Sequence, residues 1–130
     1  MKIVSIKENI EVEKRIAITP EIAKKYISQG IEIFLSENYG VHLGILDEEY
    51  IKMGVKISKD QNEILNTADI VIQLRLLLDE QKNILKENQT LIGVLDPYNN
   101  KEKIDSLIKK KVNVFSLELL PRITRAQSMD

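Results

Sequence analysis

The sequence predicts an α/β domain with a doubly wound, mainly parallel sheet and helices on both faces, the flavodoxin-like arrangement. Three observations predict it. Short apolar runs alternate with amphipathic segments of helical period along the whole chain. Single helices between strands call for right-handed crossovers and parallel pairing. Uninterrupted apolar runs such as Ile70-Val71-Ile72 read as strands covered on both sides.

The elements follow in order. Lys2 to Ile6 reads as the first strand. A charged loop, Lys7 to Ile18, leads to Thr19, an N-cap with Pro20 at the first helical position and Glu21 in the first turn. Ile22, Ala23, Tyr26 and Ile27 share one helical face, and Gly30 supplies a left-handed stop. Ile31 to Leu35 is the second strand. Asn38 to Leu46 is a loop, Asp47 caps a short helix ended by Gly54, and Val55 to Ile57 is a third strand. Asp60 opens a helix with Ile64 and Leu65 inward. Asp69 precedes the strand at Ile70, and Asp79 caps a helix carrying Ile84 and Leu85. Thr90 to Leu95 is a strand, Lys101 to Lys111 a helix with Ile104, Leu107 and Ile108 inward, and Val112 to Leu117 the last strand.

Composition narrows the function. The 130 residues suit one domain, with 43% hydrophobic and 30% charged residues. Nineteen basic and 20 acidic residues leave a net charge of -1, without the basic excess that duplex nucleic acid demands. The run Lys109-Lys110-Lys111 closes a helix, where cations suit the dipole. There is no cysteine and only one histidine, His42, so thiolate chemistry and histidine-built triads or zinc sites are excluded. No apolar run approaches the ~18 residues of a membrane span.

In open α/β sheets ligands bind beyond the carboxyl ends of the strands. Three loops there are chemically loaded: Lys7 to Thr19, Arg75 to Asp79, and Leu120 to Asp130. Arg15 in the first offers a guanidinium for a carboxylate or phosphate, or pairs with Glu11 or Glu13. The third collects Arg122, Thr124, Arg125, Gln127, Ser128 and Asp130, groups able to bind a planar carboxamide or to form a solvated linker. Glycine fingerprints for dinucleotides or phosphates are missing, and no two carboxylates have the spacing of an acid–base couple.

Glu13-Lys14-Arg15-Ile16-Ala17-Ile18-Thr19-Pro20 resembles the E-x-R-[VI]-A-[LIV]-T-P signature of alanine dehydrogenases and transhydrogenase alpha subunits. Ala68-Asp69-Ile70-Val71-Ile72 is similar to the A-D-hydrophobic strand of the same superfamily. Pro121-Arg122-Ile123-Thr124-Arg125-Ala126-Gln127-Ser128-Met129-Asp130 resembles the P-R-[IV]-[ST]-R-A-Q-S-[ML]-D motif of the transhydrogenase branch. The resemblance covers the whole chain and implies that residues 1–130 are a truncated N-terminal domain, the first of two, with an NAD(H)-binding Rossmann domain to follow. It implies NADP(H) on a partner component, a membrane component that moves protons, a homodimer when complete, no metal, and a cytoplasmic location peripheral to the inner membrane. By the motif, Arg122 steadies the NAD phosphates or carboxamide, Gln127 reaches towards the partner's dinucleotide, and Asp130 holds the nicotinamide carboxamide.

The departures point the same way. Where alanine dehydrogenases have K-V-K-E-P, this chain reads Gln73-Leu74-Arg75-Leu76-Leu77, so Arg75 stands for the substrate lysine. Leu95-Asp96-Pro97 replaces an L-H-L stretch, so Asp96 stands for the acid–base histidine. An amino-acid dehydrogenase needs that proton acceptor, and direct hydride transfer between nicotinamides does not. The expectation is therefore a transhydrogenase alpha-subunit segment. An alanine-dehydrogenase-like enzyme and a non-catalytic docking module are the alternatives.

Overall fold

The computed structural model describes residues 1–117. Six strands, β1 (Lys2–Ser5), β2 (Glu32–Ser36), β3 (Lys56–Ser58), β4 (Ile70–Gln73), β5 (Thr90–Gly93) and β6 (Asn113–Ser116), form one parallel sheet in the order β3-β2-β1-β4-β5-β6. Winding runs one way from β1 to β3 and reverses at β4. That is the doubly wound order 3-2-1-4-5-6, so the doubly wound parallel expectation holds, and edge strand β3 sets it apart from the flavodoxin-like order 2-1-3-4-5.

Register explains the two cores. Phe34, Val4, Val71, Leu91 and Val114 lie in one row across the sheet. They face α3 (Gln61–Thr67) and α5 (Lys101–Lys109), which contribute Ile64, Leu65, Ile104 and Leu107. The adjacent row, Ile33, Ile3 and Ile70, faces the other way, towards Ala23 of α1 (Pro20–Ile27) and Tyr50 of α2 (Asp47–Lys52). That second row ends in Thr90 and Asn113, and the next ends in Phe115, which is 55% exposed. The strand Ile70-Val71-Ile72 therefore alternates in burial instead of being buried throughout. Its Val71 side is deeply covered, while its other side lies where the helical layer runs out.

Several local expectations hold. Thr19 accepts from the Ile22 N–H at 3.3 Å, and Asp60 accepts from that of Glu63 at 3.1 Å. Gly30 ends α1 with φ +91°. Others need correction. Asp47 and Asp79 are first helical residues and not caps. Glu49 and Gln81 instead turn back to accept the N–H of Leu46 and Leu78. Asp47 holds the Asn38 N–H at 2.9 and 3.0 Å. The helix at Asp79 is a single turn, α4 (Asp79–Lys82), and Leu85 reaches the core from beyond it. Ile22, Tyr26 and Ile108 are exposed, so the buried stripes of α1 and α5 are narrower than periodicity implies.

One buried side chain ties distant parts together. Gln89, just before β5, donates through Nε2 towards the carbonyls of Leu65, Asn66 and Ala68 at 2.8, 3.0 and 2.8 Å. It thereby satisfies the carboxyl end of α3.

Gly93 marks the closest strand approach. It pairs with Gln73, and a Cβ there would meet the Gln73 carbonyl oxygen at 1.9 Å. Gly93→Ala is expected to destabilise the protein by about 3 kcal/mol through forced strand separation, measurable by denaturant unfolding.

Candidate functional site

The reversal of winding opens a crevice between the carboxyl ends of β1 and β4. Two of the three chemically loaded loops meet there. The loop after β1 is held from beneath by two buried tyrosines. The Tyr39 hydroxyl accepts the N–H groups of Ala17 and Ile18 at 3.2 and 3.3 Å and bonds Ser5 Oγ at 2.8 Å. The Tyr50 hydroxyl donates to the Ile18 carbonyl at 2.8 Å, and the two rings meet edge to face at 5.9 Å. Burial pushes the Tyr39 phenol up to about 12, so it stays neutral. His42 adds a tether, with Nε2 at 2.7 Å from the Lys14 carbonyl. A carbonyl only accepts, so Nε2 carries the proton, and the buried Nδ1 has no partner among the described residues.

At the crevice floor, side chains continue the sheet where the main-chain ladder stops. β1 and β4 pair only at Ile3 with Ile70 and at Val4 with Val71. Beyond them Ser5 Oγ donates to the Ile72 carbonyl at 2.6 Å. The buried Gln73 amide accepts the Ile6 N–H at 2.7 Å and donates to the Ile6 carbonyl at 3.1 Å. Its second N–H donates to Glu8 Oε2 at 3.0 Å, and the same oxygen accepts the Leu74 N–H at 2.7 Å.

Charge gathers at the rim. Arg15 holds Glu13 bidentately, Nε to Oε2 at 2.8 Å and Nη2 to Oε1 at 2.9 Å, and its backbone N–H adds a third bond at 3.0 Å. Arg75 reaches the same carboxylate at 3.1 Å. Arg15 thus pairs with Glu13, the choice that residue types left open. Hydrogen bonds from Arg15, with help from Arg75, hold the Glu13 carboxyl down at about 2. Burial raises that of Glu8 above its ordinary value, and the nearby Glu13 charge pushes the same way. Two carboxyls and two guanidiniums therefore meet with their formal charges cancelling.

Glu8, Gln73 and Arg75 line a cleft of about 390 Å³, walled also by Val12, Leu76, Leu77 and Leu78, and Arg75 links that cleft to Glu13. Sequence reasoning missed the approach of Glu8 to Glu13 and the roles of Gln73 and Tyr39. Nothing local announces them, since Gln73 lies 67 residues from Ile6. Asp96 stands apart in a turn at φ +48°, where its carboxylate accepts from Asn99 Nδ2 at 2.7 Å. Arg122, Gln127 and Asp130 lie outside the described residues. Among the described residues no three metal-ligating side chains cluster, and no helix is long and apolar enough to cross a membrane.

The carboxylate and the phenol each carry a measurable consequence. Glu13 has a depressed folded value, so its stabilisation is complete above its ordinary value of 4.5 and is lost as pH falls through about 2. Acid unfolding curves are expected to show that loss in the native protein and not in Glu13→Gln. Arg15 is 71% and Arg75 50% exposed, so the effect is expected to shrink in high salt. Tyr39→Phe leaves two loop N–H groups without their acceptor. By denaturant titration it is expected to cost about 2 kcal/mol.

Comparison with known proteins agrees with this architecture. A family model described as alanine dehydrogenase/PNT, N-terminal domain, matches residues 5–130. An NAD(P) transhydrogenase subunit alpha chain of Rickettsia prowazekii (strain Madrid E) is 40% identical over 134 residues, which is 100% of this chain and 35% of that protein. The chain thus spans about a third of the length of the curated relatives it matches. The crystal structure of transhydrogenase from Sinorhizobium meliloti superposes with a TM-score of 0.83 at 32% identity, over 98% of this chain and 38% of that one. An L-alanine dehydrogenase structure shares the fold, with a TM-score of 0.84 at 19% identity, over 91% of this chain and 32% of that one. The chain belongs to the alanine dehydrogenase/PNT N-terminal domain family.

Proposed function

We propose that residues 1–130 are the first of two α/β domains in the NAD(H)-binding alpha subunit of a proton-translocating NAD(P) transhydrogenase. In this reading the oxidoreductase passes hydride from NADH, bound on a following Rossmann domain, to NADP+ on a partner component. A membrane component couples the transfer to proton movement. The complete subunit forms a homodimer, cytoplasmic and peripheral to the inner membrane. No metal takes part.

The observation that carries the reading is the run Pro121 to Asp130, ten residues of mixed chemistry that match the transhydrogenase motif. The names of the relatives support it. The cleft supports it too. Transfer between two nicotinamides needs alignment and exclusion of water, with no proton acceptor. The rim offers apolar leucines and Val12 beside a charge cluster that is already compensated. Bound NAD(H) would supply the hydride chemistry. The chain's own part is to orient: Asp130 accepts from the carboxamide, Arg122 donates to phosphate or carboxamide oxygen, and Gln127 points towards the partner's dinucleotide.

One observation favours a second reading, an alanine-dehydrogenase-like enzyme. Arg15 and Arg75 meet on Glu13, with Arg75 at the cleft, so two guanidiniums are close enough to share a substrate carboxylate. Glu13 already occupies both guanidiniums, which weighs against it.

The test uses the full-length protein assembled with its partner components. NADH-dependent reduction of an NADP analogue is expected. Asp130→Asn is expected to lower NADH affinity or transfer rate roughly tenfold to a hundredfold, the worth of one charge-assisted hydrogen bond. Unchanged kinetics in that variant would remove Asp130 from the site. Reduction of pyruvate with ammonia by the unmodified protein would replace the reading with the dehydrogenase one.

A further inference from the structure

Glu8 and Arg75 sit on different loops, 67 residues apart, yet their main-chain and side-chain contacts are linked. Glu8 is buried and lines the cleft. Its Oε2 accepts the Leu74 N–H at 2.7 Å and Gln73 Nε2 at 3.0 Å, so the carboxylate holds the main chain one residue before Arg75. The Leu74 N–H is the first main-chain donor past the strand exit, and an internal carboxylate takes it.

The consequence reaches the arginine. Leu74 to Leu78 follow β4 as bends and irregular chain, outside any helix or strand. The Arg75 guanidinium is half exposed and meets Glu13 through a single Nε bond of 3.1 Å. An exposed pair of that kind is weak when both partners are free to move. Fixing the main chain at the adjoining Leu74 removes part of that freedom. Arg15 needs no such help, because it lies two residues from Glu13 and holds it bidentately, with its own backbone N–H as well.

We propose that Glu8 is a positioning residue for Arg75: its carboxylate fixes the main chain at Leu74, the residue before Arg75, and so sets the Arg75 guanidinium against Glu13 at the cleft mouth. The proposal concerns this chain's own geometry and stands whether or not the transhydrogenase reading holds. The groups that face Glu8 are Glu13 and Arg75 at the rim, neutral Gln73 from β4, and the Tyr39 phenol from behind. Glu8 accepts protons at higher pH than Glu13 does. As pH falls, Arg75 is therefore expected to loosen before the Glu13 carboxylate itself is neutralised.

Hydrogen exchange of the two arginine Nε–H groups, read by NMR on labelled protein, tests this. Arg75 Nε–H is expected to exchange about tenfold faster in Glu8→Ala, with Glu8→Gln intermediate because it keeps one acceptor oxygen at the same reach. Arg15 Nε–H is expected to be unchanged in both. Equal acceleration at both arginines would mean general loosening and overturn the proposal, as would no change at Arg75. Should the variants not fold, titration of the unmodified protein decides. The Leu74 amide and the Arg75 Nε–H exchange rate are expected to share the midpoint of the Glu8 carboxyl carbon. An Arg75 Nε–H rate that ignores that midpoint overturns the proposal.

Discussion

Where winding reverses, two neighbouring parallel strands must diverge so that their outgoing chains can cross opposite faces of the sheet. The polar main chain beyond the point of divergence still needs partners. Here the Gln73 side chain supplies them. Its amide presents a carbonyl and an N–H to Ile6 much as a neighbouring strand would, and its second N–H fixes Glu8. Ser5 does the same for the Ile72 carbonyl and passes the network on to Tyr39. The loops that shape the cleft rest on this bridge. Gly93 belongs to it as well, because only a residue without a side chain lets β5 lie so close behind the Gln73 carbonyl.

Above that floor, the arrangement of charge follows from one carboxylate. Glu13 is covered by two guanidiniums that remain open to water. Arg15 comes from the same short loop and Arg75 from across the crevice, so Glu13 fastens the two walls of the site together. An anion arriving from solution would have to compete with a carboxylate already bound bidentately. The apolar wall of Leu76, Leu77, Leu78 and Val12 then becomes the more open part of the cleft for a ligand.

Much of this fold was legible in the sequence. Alternating apolar runs and helical stripes locate every strand and α-helix among the described residues, because they report local periodicity. Thr19, Pro20, Gly30 and Gly54 mark boundaries by backbone chemistry that needs no distant partner. The misses have a common cause. Asp47 and Asp79 look like caps, but Glu49 and Gln81 do that work from the first turn, and Asp47 serves a loop nine residues away. Ile22, Tyr26 and Ile108 satisfy the helical period yet lie outside the contact with the sheet. In the site, Arg15 was recognisable as a polar anchor. Its pairing with Glu13 was one of two readings, and the arrival of Arg75 and Glu8 could not be read from spacing, since tertiary structure alone brings them together.

The Gln89 amide reaches back from the start of β5 to three carbonyls at the close of α3. Two hydrogens shared among three acceptors make that junction tolerant of small shifts but dependent on the one side chain. Fraying the last turn of α3 breaks bonds to the residue that leads into β5, and pulling β5 away exposes the end of α3. Helix end and strand start are thereby made one cooperative unit, so local opening in this half of the molecule proceeds by segments larger than any single element.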